Sequence, residues 1–192
     1  MKYLEEAALT LINNVLNHCQ IGDRYLLGSL DAYSCKQTTL DKKVSKNLQT
    51  FYTNEAHGHD NSTLSPCSIG SLNDISTRKL LINLIATMNA TFPDYDFSTI
   101  GPDHFQHVSE KRMRSTVNAQ LSEMVEVHRN GFLEQLWKAL ESVIRPYECQ
   151  IYSYLPDVEA DPLSEGTLWS FNYFLYNKTL KKILFFKCTS QR

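Results

Sequence analysis

The chain has 192 residues, 42% of them hydrophobic, with 19 basic and 21 acidic side chains and a formal net charge of −2. Domains mostly run ~100–150 residues, so this reads as one domain, residues 1–192, carrying a long loop and with enough chain to bury a core of its own. The near balance of charge argues against a protein that holds nucleic acid mainly by overall charge, and no apolar run approaches the ~20 residues that a membrane span needs.

Residues 4–17 predict a helix, because Leu4, Ala8, Leu11, Ile12, Val15 and Leu16 share one stripe at helical spacing. Glu5 and Glu6 stand where a secretion signal would have its apolar stretch, so secretion is not expected. Gly22 and Asp23 break the helix, and Tyr25–Lys36 reads as a strand. From 37 to 74, Ser, Thr and Asn dominate, and Ser65-Pro66 and Gly70 punctuate the chain. This stretch is expected to be a mobile linker with short helical pieces around Val44–Phe51. A helix over Thr77–Phe92 follows, capped by Ser76, with Leu80, Leu81, Leu84, Ile85 and Met88 inward and Pro93 at its end. A second, over Lys111–His128, turns Met113, Val117, Leu121, Met124 and Val125 to one face. Asn130-Gly131 separates it from a third, which carries Phe132, Leu133, Leu136, Trp137, Leu140, Val143 and Ile144 and stops at Pro146.

The C-terminal part predicts a β-meander of Cys149–Leu155, Leu168–Tyr176 and Leu180–Cys188, with an acidic connection over Pro156–Gly166 and a turn at Asn177-Lys178-Thr179. Trp169, Phe171, Tyr173 and Leu175 fall on one face, Phe174 and Tyr176 on the other; Ile183 and Phe185 oppose Leu184 and Phe186 in the same way. A sheet that is apolar on both faces must be covered on both. The expected fold is therefore α+β: a central antiparallel sheet flanked by helices, with a long mobile internal loop.

Chemistry-bearing patterns are sparse. His57-Gly58-His59-Asp60 has a spacing that chelates zinc or nickel, but it lies in the linker without a supporting scaffold, and no metal site is expected. His104 and His107 read as polar loop residues. There is no phosphate loop, nucleophile elbow or zincin motif. Asp94 and Asp96 flank Tyr95 and could serve acid–base work, but acidic residues past a helix end more often cap turns. Cys19, Cys35, Cys67, Cys149 and Cys188 are scattered and odd in number, as in the reduced core thiols of an intracellular protein. The aromatic strands could stack nucleic-acid bases, though alternating aromatics equally make a core. Lys178, Lys181, Lys182 and Lys187 crowd the last hairpin, which is either edge protection or a docking surface. In the linker, Lys42-Lys43-Val44-Ser45 suits a basophilic kinase and Ser65-Pro66 a proline-directed one, with Ser68 and Ser71 nearby. A phosphate there would add about −1.5 to −2 charge.

Cys149–Tyr154, the acidic loop through Asp161-Pro162, and Leu168–Lys178 followed by Leu180–Phe186 closely resemble the last signature box of the Maf-one family, eukaryotic repressors of RNA polymerase III transcription. Pro93–Ser98 resembles that family's middle box, and Met1-Lys2 with Ala32–Lys36 its first. The resemblance implies an α/β sandwich with no enzymatic activity and no cofactor. It implies a protein that binds the polymerase near its clamp and cleft and hinders recruitment to the promoter-bound initiation factor containing the TATA-binding protein and its Brf partner. It further implies linker phosphorylation by kinases, reversed by phosphatases, that relieves repression and shifts the protein from nucleus to cytoplasm. Ser65 looks like the family's Ser-Pro site, and Ser45, Ser68 and Ser71 match more loosely. The linker is short for the family and the acidic tail of several members has no counterpart here, so tail-dependent regulation is not carried over. Asp94, Tyr95, Asp96, Lys178, Lys181 and Lys182 are the expected polymerase contacts of a monomer. A nucleic-acid-binding module is the alternative.

Overall fold

The computed structural model describes residues 1–17, 19–36, 42, 45–50, 53–54, 68–155 and 167–192. The chain enters through a short strand, β1 (Lys2–Leu4), and helix α1 (Ala7–Asn17). Strands β2 (Cys19–Ile21) and β3 (Arg24–Ser34) form a hairpin, with Gly22 at φ 63°. Such a left-handed angle suits a residue without Cβ. Helix α2 (Ile75–Thr91), strand β4 (Phe105–Val108), helices α3 (Glu110–Leu121) and α4 (Phe132–Val143), and strands β5 (Gln150–Tyr154), β6 (Thr167–Asn177) and β7 (Lys182–Gln191) follow. The strands build one antiparallel sheet in the order β1-β3-β7-β6-β5-β4, with β2 also paired to β3.

The two-sided apolar pattern of β6 and β7 is realised as two cores. On one face, Phe171, Tyr173, Leu175, Leu184 and Phe186 pack with Leu9, Ile12 and Leu16 of α1, Met113, Val117 and Leu121 of α3, and Leu136 and Leu140 of α4. On the other, Phe174, Ile183 and Phe185 pack beneath Leu81, Leu84, Ile85 and Met88 of α2. Phe174 and Phe185 stack with ring centres 4.4 Å apart, and Phe171 meets Phe186 edge-on at 5.1 Å. Fully burying a side chain of this size contributes about 1.5–3 kcal/mol.

Several boundaries differ from those expected. Leu4 lies in β1 rather than in the first helix, because Lys2–Leu4 pairs with Ala32–Ser34 of β3. The cap of α2 is Asp74, not Ser76, and its side chain makes no capping bond; the Arg78 guanidinium instead donates to the carbonyls of Leu72 and Asn73. The second expected helix does not run unbroken to His128. It widens into a π turn over Ser122–Glu126, closed by the Val127 N–H on the Ser122 carbonyl at 3.3 Å, which keeps both Met124 and Val125 buried. His107 sits in strand β4 rather than in a loop, opposite Tyr152 of β5. Of the stretch 37–74, residues 45–50 are helical with Leu48 in the second core, and Ile69 joins that core. The helical piece expected around Val44–Phe51 is thus present over 45–50, and outside that piece Ile69 departs from the expectation of a linker without core contacts. Among the described residues no helix is long and apolar enough to cross a membrane.

One polar side chain completes the sheet. β1 covers Ala32–Ser34 and β2 covers Arg24–Leu26, leaving Leu30 on the same margin of β3 without a strand partner there. Asn13 of α1 substitutes for one: its Oδ1 accepts the Leu30 N–H at 2.8 Å and its Nδ2 donates to the Leu30 carbonyl at 3.1 Å. Asn13→Ala should cost about 1–3 kcal/mol by stranding both backbone groups. Urea denaturation reads this as a lower midpoint at unchanged slope; an unchanged midpoint refutes the role.

Candidate docking surfaces

The basic end of the sheet is built around the β6–β7 turn. Asn177, fully buried, donates from Nδ2 to the Ile144 carbonyl at 2.9 Å and accepts the Leu180 N–H on Oδ1 at 2.9 Å. Lys181 adopts φ 52°, and its carbonyl accepts the Cys35 N–H at 2.9 Å. The turn is thus pinned to α4 on one side and to the end of β3 on the other, with Lys178 and Lys181 exposed. Lys182 differs from the expectation of a free surface cation: it is half-buried, and its Nζ lies 2.8 Å from Glu6 Oε1. The register adds two cations that the sequence reading missed. Lys2 pairs with Ser34, which pairs with Lys182, and Lys36 follows two residues beyond Ser34; both are exposed. Lys2 and Lys36 lie far from Lys178–Lys182 in the chain, so only strand pairing reveals the cluster.

The acidic turn follows the C-terminal end of α2. The Phe92 N–H closes the helix on the Met88 carbonyl, and Asn89 Oδ1 accepts the Phe97 N–H at 2.8 Å. Phe97 packs against Phe92 and Tyr154, which leaves Asp94, Tyr95 and Asp96 outside. Tyr95 keeps 47% of its surface exposed. Asp96 Oδ1 accepts the Ser98 N–H at 2.9 Å, and the hydrogen bonds from Ser98 hold its carboxyl below the ordinary range. This is the loop-capping role of such carboxylates. The two surfaces do not meet. Lys187 spreads its ammonium over Phe92 at 4.2 Å, beside the start of the acidic turn. From Lys182 to Lys187 the strand advances roughly 17 Å.

The candidate phosphorylation sites are not equivalent. Ser45 is buried in the helical stretch 45–50, whereas Ser68 and Ser71 are exposed. Ser68 Oγ accepts the His107 N–H at 2.9 Å on the margin of β4, and Ser71 Oγ accepts the Asn73 N–H at 3.2 Å. Ser65 and the His57–Asp60 cluster lie outside the described residues, as does Cys67. The described cysteines are free. Cys188 is buried and the others half-buried, so the expectation of mostly core thiols holds fully for one of them. Burial pushes the thiols of Cys35 up to about 11 and Cys149 up to about 12, and raises Cys19 and Cys188 too, so all four stay protonated near neutrality. Among the described residues no group of three or more His, Cys, Asp or Glu is placed to hold a metal ion.

The architecture is shared with crystallised MAF1 from citrus. In one crystal form that structure is 36% identical, with 95% of this chain and 97% of that chain aligned at a TM-score of 0.76; a second form, at 34% identity, gives the same score. The fold therefore defines an α/β sandwich of the MAF1 type. The family model described as Maf1 regulator matches residues 26–187. The repressor of RNA polymerase III transcription from Dictyostelium discoideum is 34% identical over 98% of this chain and 84% of its own length. The corresponding repressor from Schizosaccharomyces pombe is 30% identical over 96% and 81%. The chain belongs to the Maf1 family.

Within the last signature box Phe185 belongs to the core and Lys181 to the surface. Phe185→Ala should cost about 3–5 kcal/mol in chemical denaturation, whereas Lys181→Glu should stay within about 0.5 kcal/mol of the parent. Comparable losses for the two would overturn this division.

Proposed function

We propose that this protein represses RNA polymerase III transcription by docking on the polymerase and hindering its recruitment to promoter-bound initiation factor, without catalysing a reaction. The observation that carries the reading is the near full-length match to proteins named as repressors of that transcription. The exposed Lys178 and Lys181, with Lys2 and Lys36 beside them, form one contact surface; Asp94, Tyr95 and Asp96 form a second. Lys182 supports the first surface through its pair with Glu6. A Brf-type factor is the component whose engagement is blocked. Phosphorylation at Ser65, Ser68 and Ser71 weakens docking by adding negative charge and moves the protein from nucleus to cytoplasm; Ser45 becomes a substrate only when its helical turn unwinds. The protein acts as a monomer.

The alternative, a nucleic-acid-binding module, is disfavoured by the burial of Phe171, Tyr173 and Phe174, which removes the stacking platform. In vitro transcription of a transfer-RNA gene distinguishes the readings. Added protein should lower transcript yield at low template dependence, and a folded Lys178→Glu/Lys181→Glu variant should repress several-fold less and retain less purified polymerase. Undiminished transcription with the parent protein removes the proposal; undiminished repression by the variant removes the basic surface from it.

A further inference from the structure

Helix α1 buries a narrower stripe than its sequence offers. Leu9, Ile12 and Leu16 are in the core, but the adjoining row is not: Ala8 is exposed, Leu11 keeps 72% of its surface and Val15 is half-buried. A lone exposed leucine is ordinary, and what singles out Leu11 is its setting. One turn further along the same face, Val15 forms one wall of a cleft of about 470 Å³. Cys19 and Ile21 of the β2–β3 hairpin form the second wall, and Val125, His128 and Arg129 the third. Apolar surface thus runs from Ala8 through Leu11 into the cleft, where Val15, Ile21 and Val125 continue it.

The third wall carries positive charge. The Val125 carbonyl accepts the N–H groups of both His128, at 3.1 Å, and Arg129, at 2.8 Å, which turns the chain after the π turn and leaves both side chains exposed at the cleft. The Arg129 charge reaches the Cys19 thiol on the second wall, where it offsets part of the rise that burial causes. The carboxylates close to these walls in the chain are already engaged. Asp23 pairs with Arg192 at 3.4 Å, Glu123 with Arg24 at 3.3 Å and Glu134 with Lys138 at 2.6 Å, while Glu126 holds the N–H groups of Gly131 and Leu133. Arg129 forms no ion pair among the described residues.

We propose that this cleft, with Leu11 at its mouth, is a docking site for an amphipathic segment of another protein whose apolar face is flanked by carboxylates. The two features of the surface select it together. Covering Leu11 and Val15 rewards an apolar face, and a carboxylate beside that face meets the unpaired guanidinium of Arg129, where a basic flank would be repelled. A small apolar ligand could fill the cleft but would leave Leu11, one turn outside it, in water. An amphipathic helix laid in a groove spans such a distance with anchors one turn apart. This surface is separate from the basic and acidic turns and does not rest on the repressor reading.

Two synthetic helical peptides test the site, one with Leu at i, i+3, i+4 and i+7 flanked by Glu, the other with every Glu replaced by Lys. Each is titrated into the full chain at constant ionic strength while amide chemical shifts are followed. The acidic peptide should give saturable shifts centred on Leu11, Val15, Ile21 and Arg129, with an affinity at least tenfold above that of the basic one. Leu11→Glu and Arg129→Glu should each weaken its binding at least tenfold, and Arg129→Glu should gain affinity for the basic peptide. Both side chains are exposed, so neither variant removes a core contact. Equal binding of the two peptides, shifts that do not saturate, or variants that titrate as the parent does overturn the proposal. So does a concentration-dependent dimer of the chain alone whose shifts map to the cleft, because a second copy is then the occupant.

Discussion

A hairpin that carries aromatic side chains on both faces cannot leave either face in water. That constraint on β6 and β7 organises this protein. The Phe174–Phe185 stack demands a lid on one side and the Phe171–Phe186 pair a lid on the other. The chain answers with α2 on the first and α1, α3 and α4 on the second. With both sheet faces used for burial, the surfaces left for recognition are the ends of the sheet and the turns beyond it. The basic turn at Lys178–Lys181 and the acidic turn at Asp94–Asp96 sit at such places. This is why residues in one signature box divide into scaffold and surface: Phe185 and Phe186 hold the sandwich together, while Lys178 and Lys181 meet solvent.

Polar groups drawn into the interior are mostly tied to specific partners. Asn13 completes the margin of β3, Asn177 joins the hairpin turn to the end of α4, and Asn118 accepts the Trp137 indole N–H at 2.8 Å. Glu126 accepts the N–H groups of Gly131 and Leu133 at the start of α4, which holds its carboxyl below the ordinary range. Each fixes a junction where apolar packing alone would leave the chain free to slide. Lys187 stands apart from this pattern, a half-buried cation balanced by an aromatic face rather than by a carboxylate.

Much of this was legible in the sequence because period decides burial. The alternation from Trp169 to Tyr176 assigned each aromatic to its face, and the helical spacing of Leu80, Leu81, Leu84, Ile85 and Met88 identified the buried side of α2. What escaped were features with little periodic signal. β2 has three residues and β4 four, too short for alternation to register, and the π turn preserves buried residues while breaking the helical count. At the candidate surfaces, residue type singled out Lys178, Lys181 and the acidic turn. The Glu6–Lys182 pair and the approach of Lys2 and Lys36 depend on register between strands separated by most of the chain, which local pattern does not encode.

The central claim is that the doubly covered β6–β7 hairpin is the scaffold on which everything else is hung. Native-state hydrogen exchange tests it directly, since the most protected amides mark the unit that opens only on global unfolding. The account predicts that the amides of Phe174, Leu175, Leu184 and Phe185 are among the last to exchange and do so with the free energy of global unfolding. Faster exchange there than in the helices that cover them would contradict it.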